Sequence, residues 1–306
     1  MFKKYQSLEN SYQKKFIDRF LEHNSGLSTE SYLVTEKIDG ANIQVYFEPN
    51  TDYKLGKRTS FIEENENFYD IQNVAFKYKE EFSKVSKYAN MTKSKIRLFG
   101  EIYGPGIQKR VNYGKDKMFA FFDVEVDGIL LSPRDSMHML ENFGLPRVPI
   151  IGFLPNLSAA LSISENFNTN INPEPYNYAE GLVIRPFNKN YYNPLGAIFV
   201  LKKKSAKFSE KEGVNRPVKK FDSISFDLNE KFKSYLNTNR VLSIFSKHGP
   251  MTKLSQMGEY IKLVMDDAKE DFLKDNDISG LDKKQLKDVY NVGTIVVFLL
   301  KKQLGE

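Results

Sequence analysis

Residues 35–47 read TEKIDGANIQVYF. Lys37, Asp39 and Gly40 form a K-x-D-G pattern, and Ala41, Ile43, Val45 and Phe47 then alternate with more polar neighbours. That period of two predicts a strand from 41 onward, and SYLVTEKI before it predicts another. Gly40 and Ala41 between the two can turn, so the local pattern predicts a hairpin with Lys37 at its mouth. Lys37 is then either a solvated surface lysine or a nucleophile. A free lysine has a pKa of about 10.4 and is neutral in roughly one molecule in a thousand near neutral pH. A nucleophilic lysine needs that value lowered by roughly 3, about 4 kcal/mol, through desolvation or neighbouring cations.

Cations are available further along. Lys202 and Lys204 end an apolar run at AIFVLKKK, and alternation puts both on one face of a strand with Lys203 on the other. IRLFGEIYG, MFAFFDVEV and GLVIRPF also read as strands, rich in β-branched and aromatic residues. Residues 11–23 and 62–90 are helical in character, and SPRDSMHMLENFGLP reads as a helix stopped by Gly144 and Pro146. Runs of strands without regular alternation with helices predict an α+β fold with a mainly antiparallel sheet. Residues 209–225, SEKEGVNRPVKKFDSIS, read as a linker. Beyond it the period is helical. Leu254, Met257, Ile261, Val264, Met265, Ala268 and Phe272 line one helix, and Leu286, Val289, Ile295, Val296, Leu299 and Leu300 another. The division predicted is 1–222 for the α+β domain and 223–306 for an all-α C-terminal domain.

Composition narrows the chemistry. The 306 residues are 41% hydrophobic and 27% charged, as in an ordinary globular protein. There is no cysteine, which excludes disulfides, thiolate catalysis and Cys-ligated zinc. His23, His138 and His248 lie too far apart in sequence to suggest a histidine metal site. A carboxylate-held Mg²⁺ stays open. The opening MFKKYQSLEN lacks an apolar core segment, and the longest apolar run, IVVFLL, is far too short for a bilayer, so the sequence predicts a soluble intracellular protein. A net charge of +6 suits a polyanionic partner. No internal repeat is present.

Six stretches occur in a fixed order: EKIDG, GKRTSF, FGEIYGPGIQK, FAFFDVEV, EGLVIRP and VLKKKSAKFSEK. The set resembles the ordered motifs of the covalent nucleotidyltransferases, the superfamily of ATP-dependent ligases and capping enzymes. FGEIYGPGIQK, EGLVIRP and K-x-K-x-x-KFSEK are more closely similar to the RNA ligase 2 family, and MFKKYQSLENSYQKKFI resembles the N-terminus of its phage members. The likeness runs from residue 1 to about 212, and more weakly onward, where RVLSIFSKHG stands at the corresponding place. One departure is Asp39, where the family's phage members have His; Asp is the commoner residue in the superfamily. GEIYGPGIQKR lacks the G-x-x-x-x-G-K-[ST] pattern and is not a P-loop.

The resemblance implies a fold, an antiparallel-sheet nucleotidyltransferase domain of the ATP-grasp-like, DNA-ligase-like kind followed by a small all-α domain. It implies an activity, ATP-dependent sealing of 3′-OH and 5′-phosphate RNA ends, at nicks in duplex RNA, through lysyl-AMP on Lys37 and an adenylylated RNA 5′ end. Lys202 and Lys204 would bind the α-phosphate. Glu101 and Glu180 would bind ribose or hold Mg²⁺ (or Mn²⁺). Phe122 would stack on adenine, with register deciding which Phe of FAFF does so. Arg58 would hold a phosphate or ribose, Glu36 would approach adenine through its backbone, and Asn42 would position the nucleotide. Residues 202–220 carry eight basic and two acidic side chains, of which Lys207 and Lys211 are the first candidates for RNA phosphates. The implied setting is RNA repair by a phage-encoded monomer in the host cytoplasm. A DNA ligase, a capping guanylyltransferase using GTP, and a non-catalytic RNA-binding module are the competing readings; the helical tail counts against the OB-fold usual in the first two.

Overall fold

The computed structural model describes residues 1–208 and 224–304. It divides into two compact units, Met1–Lys207 and Phe208–Glu306. The boundary expected at 222/223 and the linker up to residue 223 fall outside the described residues.

The first unit holds two five-stranded sheets. The first has the order β1 (Glu9–Asn10), β10 (Leu201–Lys204), β9 (Gly181–Pro186), β2 (Tyr32–Lys37), β8 (Ile150–Leu154). The second has the order β4 (Lys54–Lys57), β3 (Ala41–Phe47), β5 (Ile96–Tyr103), β6 (Met118–Val126), β7 (Ile129–Leu130). Every neighbouring pair is antiparallel except β1 with β10.

The hairpin reading of 31–48 is therefore corrected. β2 pairs with β8 and β9, while β3 pairs with β4 and β5. The K-x-D-G turn is where the chain leaves one sheet and enters the other. Gly40 allows the crossing, because a Cβ there would stand 2.5 Å from the carbonyl oxygen of Ile102 at the end of β5. Two alternating segments joined by a short turn look alike whether they pair with each other or with distant strands; pairing is a non-local choice.

The alternation itself holds. Ala41, Ile43, Val45 and Phe47 enter a core with Phe119, Phe121 and Val124 of β6 and with residues of α2 (Ile71–Phe76), α3 (Lys79–Thr92) and α4 (Pro133–Phe143). On the other face of this sheet, Gln44, Arg97 and Glu125 bond to one another and to the N-terminal segment. Arg97 Nη2 donates to the Met1 carbonyl at 2.6 Å, and Gln44 Nε2 donates to that of Lys3 at 3.0 Å. In the first sheet, Tyr32, Val34, Leu182, Ile184 and Leu201 face α1 (Lys14–His23) and α5 (Leu157–Ser162) through Ile17, Phe20, Leu157 and Ala160. Lys37 has the opposite parity.

The second unit packs α6 (Ile224–Lys233), α7 (Thr238–His248), α8 (Met257–Asp275), α9 (Lys283–Val289) and α10 (Gly293–Leu304) around Phe232, Ile244, Val264, Phe272 and Val296. The stretch 286–300, read as one helix, is two. Tyr290-Asn291-Val292 interrupts it, where Asn291 and Gly293 lower helix propensity. Buried Arg240 ties α7 to α8 by donating to Asp267 and Asp271. Among the described residues, no helix is long and apolar enough to cross a membrane.

Gly181 has φ +152°, and a Cβ on it would stand 2.0 Å from the Lys203 carbonyl oxygen in β10. Gly181→Ala should lower stability by about 3 kcal/mol, seen as a fall in the urea midpoint. Gly152→Ala is the control. Its Cβ would meet Leu154 at 3.5 Å, ordinary contact, and the change should stay below about 1 kcal/mol.

Candidate active site

Lys37 ends β2 and lies on the face opposite the α1–α5 core. Its Nζ donates to Glu180 Oε2 at 2.7 Å. Lys204 Nζ stands 2.8 Å from Glu180 Oε1. One buried carboxylate, 3% exposed, thus carries both ammonium groups. Strict alternation along β9 would put Glu180 with Leu182 on the core side. The positive φ of Gly181 breaks the parity and turns Glu180 toward Lys37. Burial would raise the Glu180 pKa, but Lys204, Lys37 and Arg110 outweigh it and bring it down to about 2.

Lys202 shares the face of Lys204, whereas Lys203 points away and donates to the carbonyls of Leu161 and Ile163 at 3.0 and 2.7 Å. Asn42 of β3 and Glu101 of β5 are cross-strand partners, and Asn42 also donates to the Gly100 carbonyl at 3.4 Å. Burial pushes Glu101 up to about 8, with Glu180 raising it further and Lys37, Arg58 and the Asn42 hydrogen bond opposing. Arg58 follows β4 and donates to Ser7 Oγ at 2.9 Å. Lys37 and Lys204 touch Glu180, Asn42 pairs with Glu101, and Lys37, Glu180 and Arg58 all act on Glu101, so the six lie in one neighbourhood. Among the described residues, no group of three or more His, Asp or Glu side chains gathers as a ready metal cluster.

The phenylalanine run resolves by a bulge. Phe99 pairs with Asp123 and Gly100 with Phe121, leaving Phe122 as the extra residue. Phe119 and Phe121 belong to the helix-side core; Phe122 is partly exposed, with its ring 5.1 Å from that of Tyr5.

Glu36 goes elsewhere. Alternation turns its side chain from Lys37, and its buried carboxylate accepts from the Thr169 hydroxyl and, at 2.8 Å, from the Asn170 amide. Burial raises its pKa against those two hydrogen bonds. Lys207 is exposed in the short turn 206–208. Lys211 lies outside the described residues.

Sequence reasoning did not assign Arg110, Tyr113, Asp123, Arg185 or Tyr5. Arg110 and Tyr113, from the loop 104–117, both bond to Asp39. Burial and Glu180 raise the Asp39 pKa, while Arg110 and Lys37 lower it. Arg185 of β9 donates to Asp123 Oδ1 of β6 at 2.6 Å, and Tyr5 Oη donates to Oδ2 at 2.5 Å, joining the two sheets through the N-terminal segment. Asp123 and Arg185 stood inside quoted stretches; an acid and a base with no surface alternative on buried strands were the signal.

A profile of the RNA ligase family matches residues 30–208, more than half of the chain, and one described as T4 RNA ligase 2 C-terminal matches residues 219–292. The chain belongs to the RNA ligase family. Solved structures with the same fold include the Naegleria gruberi RNA ligase with PPi, at 21% identity and TM-score 0.52, covering 68% of this chain and 57% of that one. A mutant of the Naegleria enzyme with ATP and Mn matches at 20% identity and TM-score 0.51, over the same shares. The chain therefore spans 57% of the length of these relatives.

The two carboxylates should titrate in opposite directions from the ordinary range. Glu101 takes up a proton on folding, so its contribution to stability is full below the ordinary carboxylate pKa and is lost as pH rises toward 8. The Glu180 contribution is full above that range and is lost as pH falls toward 2. Carboxyl-detected NMR titration of the free protein checks both. Lys37→Met removes a cation that lowers each value, so both should rise; a Glu101 that titrates in the ordinary range overturns this electrostatic picture.

Proposed function

We propose that the chain is an ATP-dependent RNA ligase that joins a 3′-hydroxyl to a 5′-phosphate, at nicks in duplex RNA, through lysyl-AMP on Lys37. The observation that supports the reading most is the convergence of Lys37 and Lys204 on Glu180, at the seam between two sheets, in a chain of the RNA ligase family. In the first step the amine of Lys37, once it has lost its proton, forms a bond to the α-phosphorus of ATP. The bond from that phosphorus to the bridging oxygen breaks, and pyrophosphate leaves. In the second, an oxygen of the RNA 5′-phosphate attacks the bound AMP, and the nitrogen–phosphorus bond breaks. In the third, the 3′-oxygen attacks the activated 5′-phosphorus, AMP departs, and the hydroxyl proton passes to solvent.

Such chemistry depends on positioning and charge neutralisation. Lys204 and Lys202 share the Lys37 face and would exchange a carboxylate partner for α-phosphate oxygens. Phe122, turned out of the core by its bulge, would stack on adenine, with the Glu36 backbone at the base edge. Asn42 and Arg58 would hold ribose or phosphate. Glu101 and Glu180 offer two carboxylates, the number Mg²⁺ takes when substrate phosphates and waters complete its shell, and Glu101 is held up by burial in a way a cation would relieve. Mg²⁺ or Mn²⁺ held there would neutralise phosphate charge. Lys207 and Lys211 would meet RNA phosphates. An adenylyltransferase over 1–222 with a helical domain over 223–306, acting as a monomer in RNA repair in a phage-infected cytoplasm, belongs to the same proposal.

Incubation with α-labelled ATP and Mg²⁺ should label the wild type and leave Lys37→Ala unlabelled. Equal labelling of the two would end the Lys37 assignment. Sealing should be fastest at an all-RNA nick among the four RNA/DNA strand combinations; a preference for DNA on both sides would remove the RNA reading. Phe122→Ala should raise the KM for ATP about tenfold.

A further inference from the structure

The turn that carries Lys37 is gripped from the loop 104–117. Arg110 Nε donates to Asp39 Oδ2 at 3.0 Å, and its Nη2 donates to Oδ1. The Asp39 amide donates to the hydroxyl oxygen of Tyr113 at 2.8 Å. The Asp39 side chain is 2% exposed and that of Arg110 13%. Lys37 and Glu180 are the other charged groups that act on Asp39. Gly40 follows directly, packed so closely on Ile102 that no side chain fits.

A two-armed guanidinium fixes both the distance and the rotation of a carboxylate. At this depth the carboxylate is costly without its cation. Asp39 lies two residues from Lys37, beyond the last ladder pair of β2, which is Lys37 with Gly181. From Ile38 to Gly40 the backbone has no strand partner; buried Ile38, Gly40 against Ile102 and the bonds on Asp39 hold it, and of these only the bonds on Asp39 are directional.

We propose that Arg110 is a positioning residue: through its fork on Asp39, backed by Tyr113, it sets the turn that aims Lys37 at the α-phosphate. This rests on the lysyl-adenylate reading of the site. Arg110 acts on the nucleophile through Asp39, so its effect belongs to the steps in which Lys37 reacts. Sealing of an RNA nick that already carries a 5′-adenylylated end uses no Lys37 nucleophile.

The test compares two rates in the full chain: single-turnover lysyl-AMP formation from α-labelled ATP, and sealing of a pre-adenylylated RNA nick. Arg110→Met should slow the first at least about tenfold while changing the second less than about threefold. Arg110→Lys, which keeps the charge but loses the second arm, should recover part of the first rate. Tyr113→Phe, which removes one hydroxyl and little packing, should slow the first rate alone, by about threefold. Equal losses in both assays would mean a merely structural role, and unchanged lysyl-AMP formation in Arg110→Met and Tyr113→Phe would also overturn the proposal. A wild type that takes no label, or a Lys37→Ala that labels equally, removes the lysyl-adenylate reading itself and this proposal with it.

Discussion

The site depends on one buried carboxylate. Glu180 lies between two lysines from different strands, and it can do so only because the next residue has no side chain. A Cβ on Gly181 would collide with β10, and without its positive φ the Glu180 side chain would follow the strand parity into the apolar core. Buried ion pairs contribute little net stability, since desolvation offsets most of the attraction. Their contribution here is geometric: Lys37 and Lys204 are held at 2.7 and 2.8 Å from one group, and so near each other.

The second constraint is the seam. β2 is an inner strand of one sheet and β3 of the other, so the residues between them stand where strand ends of the two sheets meet. Lys37, which ends β2 there, is reached by charged and polar groups from both sheets: Glu180 and Lys204 from the first, Asn42, Glu101 and Arg58 from the second. The Tyr5–Asp123–Arg185 contacts tie the same two sheets at another point. Tyr5 also packs its ring beside Phe122 and Phe99, so the N-terminal segment backs this face of β5 and β6.

Much of this was legible locally. The alternation of Lys202, Lys203 and Lys204 predicted their faces, and Lys203 does turn to the opposite side. The helix at 133–143 starts after Ser132, whose hydroxyl caps Asp135, and ends before Gly144. Other features were not legible, because they rest on contacts distant in sequence. The Phe122 bulge depends on register against β5. The Glu36 carboxylate serves a loop more than a hundred residues away. The partner of Arg110, Asp39, lies 71 residues away in the chain.

The sequence by itself determined the type of the longer strands at 32–37, 41–47, 96–103, 118–126 and 181–186, their apolar faces and the order of the charged residues, because backbone period and side-chain chemistry are local properties. The short strands 54–57 and 150–154 and the break at 290–292 were not legible in it. Only the tertiary structure decided that TEKIDGANIQVYF crosses between sheets instead of folding back as a hairpin. It also decided that Glu180 faces Lys37, and that Asp39 has Arg110 for a partner. The physical reason is the same in each case. Strand pairing, a parity break at one glycine and a buried ion pair are all settled by which distant surface arrives, and a short alternating segment carries no record of that choice.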